Sequence, residues 1–112
     1  MKPVNLRQAM VLEEPVHLPD GAGGFAESWE PLGTLWAEIV AGSGRERVAD
    51  IVTLSMVPWR ITVRGAPIGA PSRPRPGQRF RDGLRVFRIL SVSERDAAGR
   101  YLTCLAHEEV AR

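Results

Sequence analysis

Short apolar runs, separated by glycine and proline, recur along the whole chain and predict an all-β domain. The clearest alternation lies at 59–64, where apolar residues at odd positions alternate with Arg and Thr at even positions. Further predicted strands contain Met10–Leu12, Phe25–Leu32, Thr34–Val40 and Tyr101–His107. About six to seven such strands are expected to close into a small antiparallel β-barrel or sandwich. The length of 112 residues suits one domain, 1–112.

Turn signals between these runs set the expected connections. Pro15 is expected to end the first strand, and the glycine-rich stretch Leu18–Gly24 predicts a loop. Gly33 is expected to join Phe25–Leu32 and Thr34–Val40 as a hairpin. Asp96–Gly99 predicts another turn.

The strongest local signal is Asp82-Gly83, which predicts a two-residue hairpin turn. Residue 81 would then pair with 84, and 79 with 86. In this arrangement Phe80, Phe87 and Ile89 enter the core together. The opposite face would carry Arg79, Arg81, Leu84, Val86 and Arg88.

The stretch Ala41–Pro58 gives two conflicting signals. Ser43–Glu46 fits a helix capping box, yet many of the residues that follow are β-branched and disfavour a helix. Helical and extended forms both stay open. We expect a long projecting loop, since connections of this length are usually functional.

Composition is that of a soluble globular protein, with 44% hydrophobic and 25% charged residues. The polar segment Met1–Met10 is not followed by the apolar stretch of a signal peptide, and no run is long enough to cross a bilayer. The sequence therefore predicts folding in the cytoplasm and no membrane association. The single cysteine, Cys104, excludes an internal disulfide framework and a Cys-rich zinc site.

Charge is distributed unevenly along the chain. Residues 60–88 hold eight arginines and one acid, a balance of +7, whereas the remainder carries −5. Residues 65–77 hold three glycines and four prolines, which predict an exposed, semi-rigid connection with its arginines pointing outward. Such asymmetry indicates an acidic partner or nucleic acid. The alternatives are a solvated arginine-rich surface and the high arginine content that a GC-rich genome produces. The expected basic surface that faces a partner or DNA comprises Arg64, Arg73, Arg75, Arg79, Arg81 and Arg88.

The residues offer no catalytic or metal-binding constellation, so we expect no enzyme activity, no cofactor and no metal site. Cys104 and His107 would face opposite sides of one strand. The acid pairs Glu13-Glu14 and Glu108-Glu109 are expected to be solvated surface charges. Trp36 and Trp59 are expected in the core, and Trp29 is a candidate interface anchor.

Several short motifs follow one another along the chain, namely Asp20–Gly24 with Trp29, Trp36–Ile39, Gly44–Glu46 with Ala49, Ile61–Arg64, Arg79-Phe80, Asp82-Gly83, Phe87–Ile89, Val92, Asp96 and Arg100–Cys104. Their order resembles the phage head–tail joining family, also called head-completion or stopper proteins. The N-terminal part is similar to versions in alphaproteobacterial prophages and gene transfer agents. The resemblance covers roughly residues 8–109, and the connection at 65–77 is longer than the family pattern.

This resemblance implies a structural connector that forms a homo-oligomeric ring in the neck of the virion or phage-like particle. Portal or adaptor proteins would lie above the ring and tail proteins below it. The ring would retain packaged double-stranded DNA in its channel and give the tail a docking surface. Assembly would take place in the cytoplasm of the bacterial host. The expected channel or subunit-interface loop residues are Arg45, Glu46, Arg47, Asp50, Ile51 and Leu54.

A second interpretation is a small, OB-like barrel that binds nucleic acid. The arginine-rich segment supports it, as do Phe80 and Phe87, because aromatic side chains can stack on bases. It predicts tight, salt-sensitive binding of free DNA by the monomer, whereas a connector is expected to bind DNA weakly alone.

Overall fold

The computed structural model describes residues 3–42 and 58–109, and within these ranges the chain forms six strands and no helix. All strand pairs are antiparallel, and the sheet closes into a barrel in the order β1-β2-β3-β6-β5-β4. The expected all-β barrel is thus confirmed. No helix in the described part of the chain could span a membrane. The strands are β1 (Gln8–Pro19), β2 (Phe25–Ala41), β3 (Pro58–Arg64), β4 (Arg79–Asp82), β5 (Arg85–Glu94) and β6 (Tyr101–Glu109).

Alternate residues of every strand point into the barrel and form its core. Phe80 and Phe87 are fully buried and Ile89 is 1% exposed, as their shared face predicts. Trp59 packs against this core with its ring edge-on to Phe87, at 6.0 Å between centroids. The other buried apolar residues are Met10, Leu12, Ala37, Ile61, Val63, Leu102, Cys104 and Ala106.

The β4–β5 hairpin is real, but its turn lies one residue later than predicted. Asp82 pairs with Arg85, so Gly83 and Leu84 form the turn. The first turn position requires a positive φ, and Gly83 supplies it with φ +61°. Each pairing partner moves by two residues, so Phe80 now faces Phe87 and every side chain keeps its predicted face.

Strands β1 and β2 form one long hairpin, which corrects two predicted boundaries. β1 continues through Pro15, and β2 continues through Gly33 without turning. Proline is tolerated because β1 pairs with β4 only at Val11–Glu13, and beyond that point only β2 adjoins it. Gly33, at φ +146°, lies where the register shifts, so it belongs to a β-bulge.

The outer part of this hairpin extends beyond the barrel as a two-stranded arm. We define the arm as Glu14–Pro19 paired with Phe25–Glu30, joined by the turn at 20–24. The Asp20 carboxylate accepts hydrogen bonds from the backbone N–H groups of Ala22 and Gly24, at 2.8 and 3.1 Å, and so fixes the turn.

The connection at 65–77 packs on the barrel rather than standing away from it. Pro74 is buried, and the Arg73 guanidinium turns back to donate a hydrogen bond to the Ala66 carbonyl at 2.9 Å. The prediction that Arg73 projects outward is therefore wrong. Hydrogen bonds from the Gly65 N–H to the Arg100 carbonyl at 2.7 Å and from the Gly77 N–H to the Ile89 carbonyl at 3.0 Å attach the two ends of the connection to the barrel.

The two ends of the barrel differ. The arm leaves one end, and the turn that joins β5 to β6 lies at the same end. The Gly99 N–H donates a hydrogen bond to the Asp96 carbonyl at 3.0 Å, which confirms the predicted Asp96–Gly99 turn. At the opposite end, the Gly42 N–H bonds the Pro58 carbonyl at 2.8 Å, just before residues 43–57 connect β2 to β3. The barrel thus separates the arm from the attachment of 43–57.

Candidate interaction surfaces

Glu13 binds two of the predicted partner-facing arginines. Its carboxylate accepts hydrogen bonds from Arg79 Nε at 2.6 Å and Arg81 Nε at 2.9 Å. Glu13 is only 5% exposed, so its expected place as a solvated surface acid is wrong. Burial raises the pKa of Glu13, but the hydrogen bonds from Arg81 and Arg79 outweigh this, leaving the pKa below its ordinary value. The carboxylate therefore stays ionised at neutral pH and offsets one of the two positive charges that contact it.

Trp29 joins the arm to this arginine cluster. The Arg79 guanidinium carbon lies 4.1 Å from the centroid of the Trp29 ring, and that of Arg88 lies 4.9 Å away. Both distances suit cation–π contacts. Arg88 also approaches Glu109 at 3.7 Å, at the end of β6. Trp29 is therefore half-buried under groups of its own chain and fixes the base of the arm.

A second ion pair lies beside the β4–β5 turn. Arg85 donates two hydrogen bonds to the Glu108 carboxylate, at 2.8 and 3.0 Å. These bonds lower the pKa of Glu108. The Arg85 guanidinium also lies 4.9 Å from the Phe87 ring centroid and 5.4 Å from that of Trp59. This arginine covers the barrel end where β5 begins.

The predicted basic surface divides into three places. Arg79, Arg81 and Arg88 adjoin the base of the arm through Glu13 and Trp29. Arg73 and Arg75 line a cleft of about 210 Å³ between the 65–77 connection and the start of the arm. Arg64 is exposed at the end of β3 and lines a different cleft. Sequence order predicts one face here, but the barrel distributes its members around its surface.

The other predicted set lies outside the described residues. Arg45, Glu46, Arg47, Asp50, Ile51 and Leu54 all belong to 43–57, so their role as a channel or subunit-interface loop stays a prediction.

Cys104 and His107 point to opposite sides of β6, as their spacing predicts. Cys104 is buried in the core, and burial raises the pKa of its thiol to about 12. Such a thiol is a poor nucleophile at neutral pH. Across residues 3–42 and 58–109, three or more His, Cys, Asp or Glu side chains do not gather as metal ligands would.

Exposed apolar side chains mark two places that sequence analysis missed. Trp36 is 58% exposed, so its predicted core position is wrong. The alternation of β2 contains the signal, because Trp36 shares its parity with Glu38, whereas buried Ala37 has the opposite parity. At the far end of the arm, Leu18 is 52% and Phe25 is 70% exposed.

The stacking platform that the nucleic-acid-binding interpretation assigns to Phe80 and Phe87 is not available. Phe80 and Phe87 are both 0% exposed, so neither ring can stack on a base without unfolding the core. Two of the arginines of that interpretation already bind Glu13. The geometry therefore favours an assembly role over base recognition.

Comparison with known proteins agrees with this assessment. The family model described as phage head completion protein matches residues 1–109. A chain from the structure titled "Virion of native gene transfer agent (GTA) particle" is 55% identical, with a TM-score of 0.77 over 98% of this chain and 100% of that chain. A Shigella flexneri 2a protein known from a solution structure is 25% identical, with a TM-score of 0.70 over 100% of both chains. No curated protein gives a significant match.

Proposed function

The chain belongs to the phage head completion protein family, a family of structural virion proteins and not of enzymes, and on that premise we propose that it is a head–tail connector. In this proposal, copies of the chain form a ring between the portal or adaptor proteins and the tail. The ring retains packaged double-stranded DNA and provides the docking surface for the tail. It would be assembled in the host cytoplasm and then lie in the neck of the particle.

The observation that carries the proposal is the family match over 1–109, supported by the 55% identical chain from a gene transfer agent particle. A likeness across almost the entire length of both chains makes a shared role in a particle the simplest account.

The shape of the barrel supports a connector with two different neighbours. The arm extends from one end, and residues 43–57 join the strands at the other. A protein that bridges a head and a tail needs two unlike contact surfaces on one rigid body. The closed barrel supplies such a body, because each of its strands is paired on both sides around the common core.

The residues of 43–57 are proposed to line the channel or to contact a ring neighbour. Their sequence supports this role, since charged residues at 45, 46, 47 and 50 precede an apolar series that a solvated loop does not need. Arg64, Arg73 and Arg75 are proposed to contact acidic partners or DNA. By contrast, Arg79 and Arg81 are expected to contribute less to such binding, because the Glu13 carboxylate offsets one of their two positive charges and accepts hydrogen bonds from both side chains.

Deletion of the gene in a host that produces the particles tests this function. We expect DNA-filled or leaking heads and separate tails by negative-stain electron microscopy, and restoration of tailed particles when the chain is supplied from a plasmid. Tailed, infectious or gene-transferring particles at normal yield from the deletion strain would contradict the proposal.

A further inference from the structure

The far end of the arm combines apolar and acidic side chains on one face. Phe25 and Glu27 are two residues apart on β2, so they lie side by side, roughly 7 Å apart along the strand. Both are exposed, and Phe25 is the more exposed of the two large apolar residues there. Residues 14–30 contain four acids and neither lysine nor arginine. The arm thus presents an aromatic ring beside negative charge.

A patch on the barrel presents the complementary pair. Trp36 pairs with Ala9 on β1, and the β2–β3 register brings Arg64 beside it on the outer face, roughly 5 Å away across the sheet. Leu6, Trp36 and Arg64 together line an open cleft of about 380 Å³. We call these three residues the Trp36 patch. It offers an exposed indole and a leucine for an aromatic ring, and a guanidinium for a carboxylate.

The arm and the patch cannot meet within one molecule. Phe25 and Trp36 lie on the same continuous strand, eleven positions apart, which corresponds to roughly 36 Å of extended chain. The pairing of β2 with β1 from Phe25 to Trp36 keeps this part of β2 extended. Any contact between the two surfaces therefore joins two molecules.

We propose that the arm of one subunit docks on the Trp36 patch of a second copy of this chain, with Phe25 against Trp36 and Leu6, and Glu27 against Arg64. This inference rests on the proposed ring and names the surfaces that would join its subunits. Opposite charge and matched apolar area favour this occupant. Because the two surfaces differ, the contact is heterologous, and such a contact generates a ring when the rotation between neighbouring subunits closes, as the proposed function requires.

The aromatic pair is expected to dominate the contact. Large aromatic side chains that fill a pocket are typical hot spots of binding free energy, whereas partly exposed charged pairs mainly determine specificity. We therefore expect Phe25→Ser to lower incorporation of the chain into particles by about tenfold or more. Leu84→Ser is the matched control, since Leu84 is 88% exposed and belongs to neither the arm nor the Trp36 patch. It is expected to leave incorporation unchanged.

Reversal of the charges tests the pairing of Glu27 with Arg64. Arg64→Glu would bring two acids together and is expected to reduce incorporation by about tenfold. The double variant Glu27→Arg with Arg64→Glu restores an opposite pair and is expected to recover most of that loss. A double variant no better than Arg64→Glu alone would contradict the pairing.

Cross-linking in assembled particles identifies the partner directly. Cys104 is the only native cysteine and its buried thiol is unreactive, so new thiols can be placed without a background. Particles that carry the double variant Ala26→Cys with Ala9→Cys keep Phe25 and Trp36, because Ala26 adjoins Phe25 and exposed Ala9 pairs with Trp36. These particles are treated with a short bismaleimide and examined by denaturing electrophoresis. We expect a ladder of covalent oligomers of this chain. The single variants Ala26→Cys and Ala9→Cys keep the contact but lack one of the two thiols, and they are expected to give no ladder.

The outcomes separate this inference from the proposed function. Normal incorporation of the double-cysteine variant without a ladder overturns the arm contact and leaves the connector role intact. Cross-links only to a different protein, identified by mass spectrometry, also overturn it. Absence of the wild-type chain from particles overturns both.

Discussion

Glu13 is a buried acid whose position determines how the arginines of the chain are used. Sequence alone gives no reason to separate it from its neighbour Glu14, because both fit a solvated pair. The distinction comes from β4, which pairs with β1 only at Val11–Glu13 and brings two arginines to one carboxylate. A segment with a balance of +7 is thus less basic on the folded surface than along the chain.

Replacement of Glu13 by glutamine is expected to reduce stability at pH 7 by about 2 kcal/mol, because charge-assisted hydrogen bonds from Arg79 and Arg81 are lost. Urea unfolding of the purified protein measures this change. Glu30→Gln, at an exposed acid of the arm, is the control and should alter stability by less than about 0.5 kcal/mol. Equal effects of the two substitutions would contradict the role of Glu13.

The effect of Glu13→Gln should also depend on pH. Because the folded pKa of Glu13 lies below its ordinary value of 4.5, the carboxylate stabilises the fold above that value. This contribution is lost as pH falls through the folded pKa. The stability difference between wild type and Glu13→Gln is therefore expected to shrink below about pH 4. A difference that stays constant from pH 7 to pH 3 would contradict this account.

At the scale of strands, the sequence correctly predicts strand pairs that have strong local signals. It predicts strand ends wrongly where tertiary pairing continues through a proline or a glycine. The shared core face of Phe80, Phe87 and Ile89 is predicted correctly although the register is not. A register change of two residues leaves each side chain on the same face of the sheet. Pro15 and Gly33 mislead for one common reason. Proline and glycine usually end strands, but here β1 and β2 stay paired past both residues. Pro15 is accommodated because that part of β1 has no β4 neighbour, and Gly33 is accommodated in a β-bulge.

The arm is expected to depend on Trp29 for its order. Trp29→Ala removes the cation–π contacts to Arg79 and Arg88 that attach the arm to the barrel. Hydrogen exchange followed by mass spectrometry should show amide exchange in the arm accelerated by about tenfold, a loss of about 1.4 kcal/mol of local stability, with core strands unchanged. Trp36→Ala, which changes an exposed indole, is the control. Unchanged exchange of the arm in Trp29→Ala would show that the ladder alone holds it.

For the whole molecule, sequence reasoning identifies the fold class and the family but not the surfaces. Trp36 shows the reason. Its hydrophobicity suggests the core, yet the barrel can accommodate only one face of β2, and buried Ala37 occupies it. Likewise Arg64, Arg73 and Arg88 are close in sequence but lie on different parts of the closed sheet. Which side chains share a surface depends on closure, which no local pattern encodes.

Replacement of residues 44–54 by a short Gly/Ser linker tests the proposed role of the segment between β2 and β3. The barrel is expected to remain folded, because the Gly42–Pro58 hydrogen bond and the β2–β3 ladder lie outside the replaced residues. Particles carrying this variant are expected to lose packaged DNA or to lack tails, measured as nuclease-accessible DNA and by electron microscopy. Full, tailed particles at normal yield would exclude the segment and shift the role to Arg64, Arg73 and Arg75.

Cryo-electron microscopy of the neck of purified particles tests the central claim most directly. The account predicts a closed ring built from copies of this barrel, with one face toward the head and the other toward the tail. It further predicts packaged DNA ending at or within the ring. A neck reconstruction without this barrel, or with the barrel located only on the capsid surface or at the tail tip, would contradict the account.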